Sequence, residues 1–239
     1  MRIFVLLPLA GLLAFVSIGP SAALAQGSFT VSQRGTTVGT ATFDLIVTPD
    51  GYESTSLVHV AMQGLDYALS KNERLSSANQ LEHVELSAAV NGSAVHVTAE
   101  PDSAQMLMNI SANGRSSTTR LAAHPAAVFL PDFDPGALET LLALAVNHNN
   151  RDLWAIIPKQ AGSVEPIQLA TYPDQQGTLD GKPVIVHHLV ATIAGGTTDL
   201  FSGPASQLLQ AELPQEGFVL VRKGFVLTPP ARPEAPPAE

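Results

Sequence analysis

The sequence predicts an all-β domain, more strictly a β-dominated α+β one: a curved antiparallel sheet or open half-barrel packed around one main α-helix. Three observations predict it. Short runs of period-two alternation recur along nearly the whole chain. Two Asn-Gly dipeptides, Asn91-Gly92 and Asn113-Gly114, each sit between such runs and are strong hairpin signals. A single stretch, Pro135 to Asn147, breaks the rhythm with helical spacing.

Taken in order, Phe29 and Val31 alternate with polar residues before a turn at Arg34-Gly35-Thr36. Val38 to Val47 follows, with Phe43, Leu45 and Val47 on one face. Pro49-Asp50-Gly51 turns the chain, because proline sets φ and glycine accepts a positive φ. Tyr52 to Met62 resumes the alternation, with Leu57 out of phase with Val58 and Val60. Leu81 to Val90 and Val95 to Ala99 flank the first Asn-Gly turn, and Met106 to Ile110 and Ser116 to Leu121 flank the second. Further strands are expected near 153–158, 164–172, 184–193, 208–213 and 218–221, with turns at Gly195-Gly196 and Gln215-Glu216-Gly217.

The helix has its start signals in place. Asp134 can cap, and Pro135 suits the first helical position. Leu138, Leu141, Leu142 and Ala145 share a face, widened by Ala137, Leu144 and Val146, and leave Glu139, Thr140 and Asn147 as a narrow polar stripe. A helix that apolar is expected to be buried, with the concave side of a curled sheet as its partner.

The first 25 residues read as a cleavable export signal: Arg2, an apolar run from Ile3 to Ile18, and Ala23-Leu24-Ala25 before Gln26. The run is shorter than the roughly 20 residues of a spanning helix. Residues 26–227 are then one domain in the periplasm or outside the cell, and the proline-rich stretch 228–239 is expected to be disordered. The chain has no cysteine, which excludes disulfides, thiolate metal sites and cysteine nucleophiles. With 12 basic and 21 acidic side chains its net charge is −9, and no basic cluster points to nucleic acid.

Candidate chemistry is sparse. His187-His188 lies within an apolar strand, so the two rings point to opposite faces and do not chelate one ion. His59, His83 and His96 fall in separate strands, and His148 ends the helix, where a cation suits the dipole. Asp132 and Asp134 form the one close carboxylate pair in a pre-helix loop, and capping by Asp134 explains it most simply. Neither G-x-S-x-G nor a calcium loop occurs, and no metal or cofactor is implied. With one tryptophan and three tyrosines, aromatic stacking platforms for sugars or bases are scarce.

The segments Gly27-Ser28-Phe29-Thr30-Val31 with Gly35, Val38-Gly39-Thr40 with Phe43, and Asp50-Gly51 resemble the opening of a group of uncharacterised exported bacterial β-rich proteins of half-barrel type. That group's strand ending in Leu-Asp-Asn before a helix is echoed by Phe129-Leu130-Pro131-Asp132-Phe133, without an intact Leu-Asp-Asn. The plan is also similar to the half-barrel periplasmic lipoprotein carriers, in which a curled sheet wraps a helix around an acyl-binding cavity. The resemblance implies a fold and a compartment and suggests apolar-ligand handling, and the function expected on these grounds is an exported, periplasmic, non-enzymatic binding or carrier module for an apolar or lipid-like ligand. Phe133, Leu138, Leu141, Leu142 and Trp154 are the expected cavity residues. The alternatives are a structural or interaction protein of the cell envelope, and a hydrolase using Asp132, Asp134 or a histidine.

Overall fold

The computed structural model describes residues 23–149, 151–159 and 162–229. Residues 1–22 of the leader-like segment 1–25, and 230–239 of the proline-rich stretch, lie outside the described residues.

Eight strands run as a meander of hairpins: β1 (Ala23–Gln33), β2 (Thr36–Thr48), β3 (Gly51–Met62), β4 (Leu65–Ser76), β5 (Leu81–Val90), β6 (Ser93–Asp102), β7 (Gln105–Ala112) and β8 (Arg115–Ala122). Asn91-Gly92 and Asn113-Gly114 close two of these hairpins with positive φ at both positions, as the dipeptides predict. The chain then forms β9 (Ala127–Phe129) and α1 (Pro135–Asn147). A second meander follows: β10 (Leu153–Ile157), β11 (Ser163–Leu179), β12 (Lys182–Ile193), β13 (Gly196–Ser202), β14 (Leu208–Leu213), β15 (Phe218–Arg222) and β16 (Phe225–Leu227).

These strands make one open sheet, in the order β8-β7-β6-β5-β4-β3-β2-β1-β15-β14-β13-β12-β11-β10-β9. The two meanders join where β1 pairs with β15, and β9 pairs in parallel with β10 at the far edge. The sheet curls until β9 packs against β5 and β11 against β8, yet no ladder closes it into a barrel. At that meeting point a Cβ on Gly162 would lie 1.7 Å from Met108 Cε, the movable end of that side chain, and its φ of +81° is one that glycine adopts without strain.

Alternation explains which side is inside. β3 buries Ser54, Ser56, Val58 and Val60 and exposes Leu57, as the phase of its sequence requires. The concave side holds α1, whose Leu141, Leu142, Leu144 and Ala145 join a core with Phe29, Phe43 and Phe129. The expected polar stripe of the helix is corrected by the structure: Glu139 and Thr140 are buried, while Val146 is 65% exposed. Glu139 is drawn inward by the Leu208 N–H and Arg222, and Thr140 donates to the Gly136 carbonyl. A smaller cluster of Val186, Phe201, Leu209 and Phe225 lies apart from that core, where β16 folds back to pair with β11.

Candidate functional site

The site grows from the loop between β9 and α1. Pro131 is buried, and Leu130 N–H donates to the Ile156 carbonyl, which ties the loop to β10. Phe133 then adopts φ +58°, a left-handed conformation unusual for a bulky residue. Its ring meets Tyr67 edge-on at 5.9 Å and Phe218 at 4.7 Å between centroids. The turn reverses the chain into α1, and Asp134 Oδ1 accepts from the N–H groups of Gly136 and Ala137. Capping by Asp134 is therefore realised as the sequence suggests.

Beside this loop lies a half-enclosed cavity of about 180 Å³. Phe133, Leu138, Ile157, Ile193, Leu213 and Leu220 supply apolar walls. Asp132 and Lys159 stand at its rim, with Asp132 Oδ1 2.8 Å from Lys159 Nζ. Tyr67 Oη donates to the Asp132 carbonyl at 3.4 Å. Burial pushes the Tyr67 phenol well above its ordinary range, helped by the charges of Asp132 and Asp134, so it stays a neutral donor.

Under the loop sits a buried polar cluster that sequence reasoning missed. Lys71 Nζ is 2.7 Å from both Glu73 Oε2 and Asp134 Oδ2, with all three side chains out of solvent. Ser54 and Ser56 stand directly across from Glu73 and Lys71 in the β3–β4 pairing, buried and without hydrogen-bond partners. A Cβ on Gly136 would lie 2.5 Å from Ser56 Oγ, so glycine at the helix start lets α1 descend onto this cluster. Asp132 and Asp134 diverge, one to the rim lysine and one to the buried lysine, and do not form a catalytic pair.

Burial raises the Glu73 carboxyl above its usual 4.5, Lys71 opposes that, and Asp134 adds to it. Burial alone would lower Lys71, but Asp134 and Glu73 overcome it and raise the ammonium. The ammonium thus sits between two buried carboxyls, and burial favours the protonated form of Glu73. A group whose folded-state pKa is raised stabilises fully below its unfolded value and loses that contribution as pH rises through the folded value. Glu73→Gln, a neutral mimic, is therefore expected to lose less stability than the parent chain as pH rises from mildly acidic to mildly alkaline. Urea titrations at the two pH values check this; parallel losses in both proteins would show that Glu73 is already ionised.

The five expected cavity residues do not share one space. Phe133 and Leu138 line the cavity beside the loop, and Leu142 lines another at the opposite end of α1. Leu141 is packed inside the core. Trp154 is half-buried on β10 and stacks on His124, with ring centroids 3.8 Å apart. The adjacent histidines separate as strand geometry dictates: His188 Nε2 meets Asp199 at 2.7 Å, half-sheltered, and His187 Nδ1 meets Asp174 at 2.9 Å in the open.

Among the described residues, no group of three or more histidine or acidic side chains is placed to hold a metal, and no helix is long and apolar enough to cross a membrane. The chain matches no family model, no curated protein and no solved structure.

Proposed function

We propose that this protein is an exported, non-enzymatic binding or carrier module for an apolar or lipid-like ligand, whose apolar end enters the cavity beside Phe133. The observation that carries the reading is a strained aromatic residue at an apolar-walled opening with an ion pair at its rim. Backbone strain of about 1–3 kcal/mol at a bulky residue persists only where the surroundings enforce it, and such residues gather at ligand clamps. Tyr67 and Phe218 on two different strands enforce it here.

The volume limits the ligand. At about 30 Å³ per water-sized group, 180 Å³ takes about six such groups, a chain end and not a whole lipid. The rest of the ligand would lie across the Asp132–Lys159 rim. The export signal read in the sequence agrees with a carrier that works outside the cytosol.

Native mass spectrometry of protein purified from a periplasmic extract, followed by lipid extraction, tests the reading. We expect a bound acyl-containing mass that Thr198→Trp, which places an indole at the cavity from β13, removes. A bare protein mass, with no displacement of an apolar fluorescent probe, would sink it. A co-purifying protein in place of a lipid would favour the envelope-interaction reading.

A further inference from the structure

We infer that the cavity at the C-terminal end of α1 is a second ligand site, separate from the one beside Phe133, and that it takes a medium-chain carboxylic acid with its head at His187. A β-bulge sets the geometry of this end. Across β11 and β12, Tyr172 pairs with His188 and Gln175 with Val186, so Pro173 and Asp174 together face His187 alone. Proline has no N–H to contribute to a ladder, so a bulge is where it fits. A bulge also re-aims a side chain. Here it brings the Asp174 carboxylate 2.9 Å from His187 Nδ1.

That contact fixes the ring. A carboxylate oxygen only accepts, so Nδ1 carries the proton and Nε2 is the nitrogen left for a ligand. His187 lines a half-enclosed cavity of about 320 Å³. Ser202, its direct partner across the β12–β13 pairing, lines the same wall. Leu189, two residues further along the same face of β12, lies beside His187, and α1 contributes the apolar Leu142, Ala145 and Val146. Val146 is an exposed large apolar residue on a helix whose leucines are buried, and an apolar chain lying in the cavity would cover it. A turn in which Ala205 and Ser206 both have positive φ, at 55° and 62°, also lines the cavity.

Polar groups beside apolar groups in one cavity call for an amphiphile. At about 30 Å³ per group the cavity takes about ten non-hydrogen atoms, the size of a carboxyl on a chain of about eight carbons. The head follows from charge. No lysine or arginine lines the cavity, so a doubly ionised phosphate head would meet no fixed cation. A carboxylic acid and an imidazole need only one proton between them, whichever of the two carries it.

Titration of the folded chain with octanoate, octyl phosphate and octanol, followed by calorimetry, tests the site. We expect octanoate to bind best, and His187→Ala to weaken it about tenfold, as loss of a hydrogen bond to a charged group would. Val146→Asp, at an exposed position, is expected to weaken all three ligands without affecting folding. Thr198→Trp, which blocks the cavity beside Phe133, should leave octanoate binding unchanged. No octanoate binding, or octyl phosphate binding as well as octanoate, would overturn the inference. Octanoate binding that responds to Thr198→Trp and not to His187→Ala would overturn it too, while supporting the reading of the Phe133 cavity.

Discussion

Lys71→Met is expected to destabilise the protein by about 3–5 kcal/mol, the usual cost of removing one partner from a buried ion pair. Lys71 has no exposed surface, and its ammonium is the only cation within reach of Glu73 and Asp134 among the contacts described. Without it the charge on Asp134 is buried with no cation beside it, although its other oxygen still accepts from two N–H groups of α1. The helix start, at a dipole's positive end, stabilises that charge only in part. A double variant, Lys71→Met with Asp134→Ser, keeps a capping oxygen and removes the uncompensated charge, so it should regain most of the loss. Urea unfolding followed through Trp154 measures both proteins. A cost below about 1 kcal/mol for the single variant, ordinary for a surface pair, would mean that water reaches the cluster. The consequence extends to the cavity, because Asp134 ends the loop that carries Phe133 and Asp132 to it.

That cluster also marks the limit of what the sequence can be made to say. Alternation reveals strands when the inward positions are apolar, as in β2 and the Val58–Val60 part of β3, and Asn-Gly reveals hairpins whatever surrounds it. β4 escapes because its inward positions are Tyr67, Leu69, Lys71, Glu73 and Leu75, so the pattern is broken where the chemistry is densest. The available signal was phase: Lys71 and Glu73 continue the spacing set by Tyr67 and Leu69. β9 and β16 have three residues each, too few for any period to register, and both are defined by tertiary pairing. β13 hides between two turn signals, Gly195-Gly196 and Ser202-Gly203-Pro204.

The helix shows the same division. Its span and its Asp134 cap are local properties and could be read locally. Glu139 looked solvent-facing because a one-dimensional pattern contains no Arg222, which lies on β15 at the far end of the chain. The separation of Phe133 and Leu138 from Leu142 and Trp154 likewise follows from the curl of the sheet. No spacing along the helix distinguishes one end of the curl from the other.

Arg222 yields the second large effect, and its pH dependence is the sharper test. Its Nε donates to the Leu208 carbonyl at 2.6 Å and its Nη1 to the Gln26 carbonyl at 2.7 Å. Its guanidinium lies 5.1 Å from the centroid of Phe29 and 5.8 Å from that of Phe43, and Nη2 is 3.8 Å from Glu139 Oε2. One planar fork therefore ties β15 to β14, β1 and α1. Arg222→Met is expected to cost about 3–5 kcal/mol, and Arg222→Lys to recover less than half, since an ammonium cannot reproduce the fork or the stacking. Burial raises the Glu139 carboxyl, while the Leu208 N–H and then Arg222 pull it down. Removing the arginine leaves burial less opposed, so the folded-state pKa of Glu139 rises further. Its contribution is then lost as pH climbs through that higher value, which makes the Arg222→Met penalty larger at mildly alkaline than at mildly acidic pH. A penalty that stays constant with pH would show that Arg222 acts through its carbonyl and aromatic contacts alone, and that Glu139 is held by the Leu208 N–H without it.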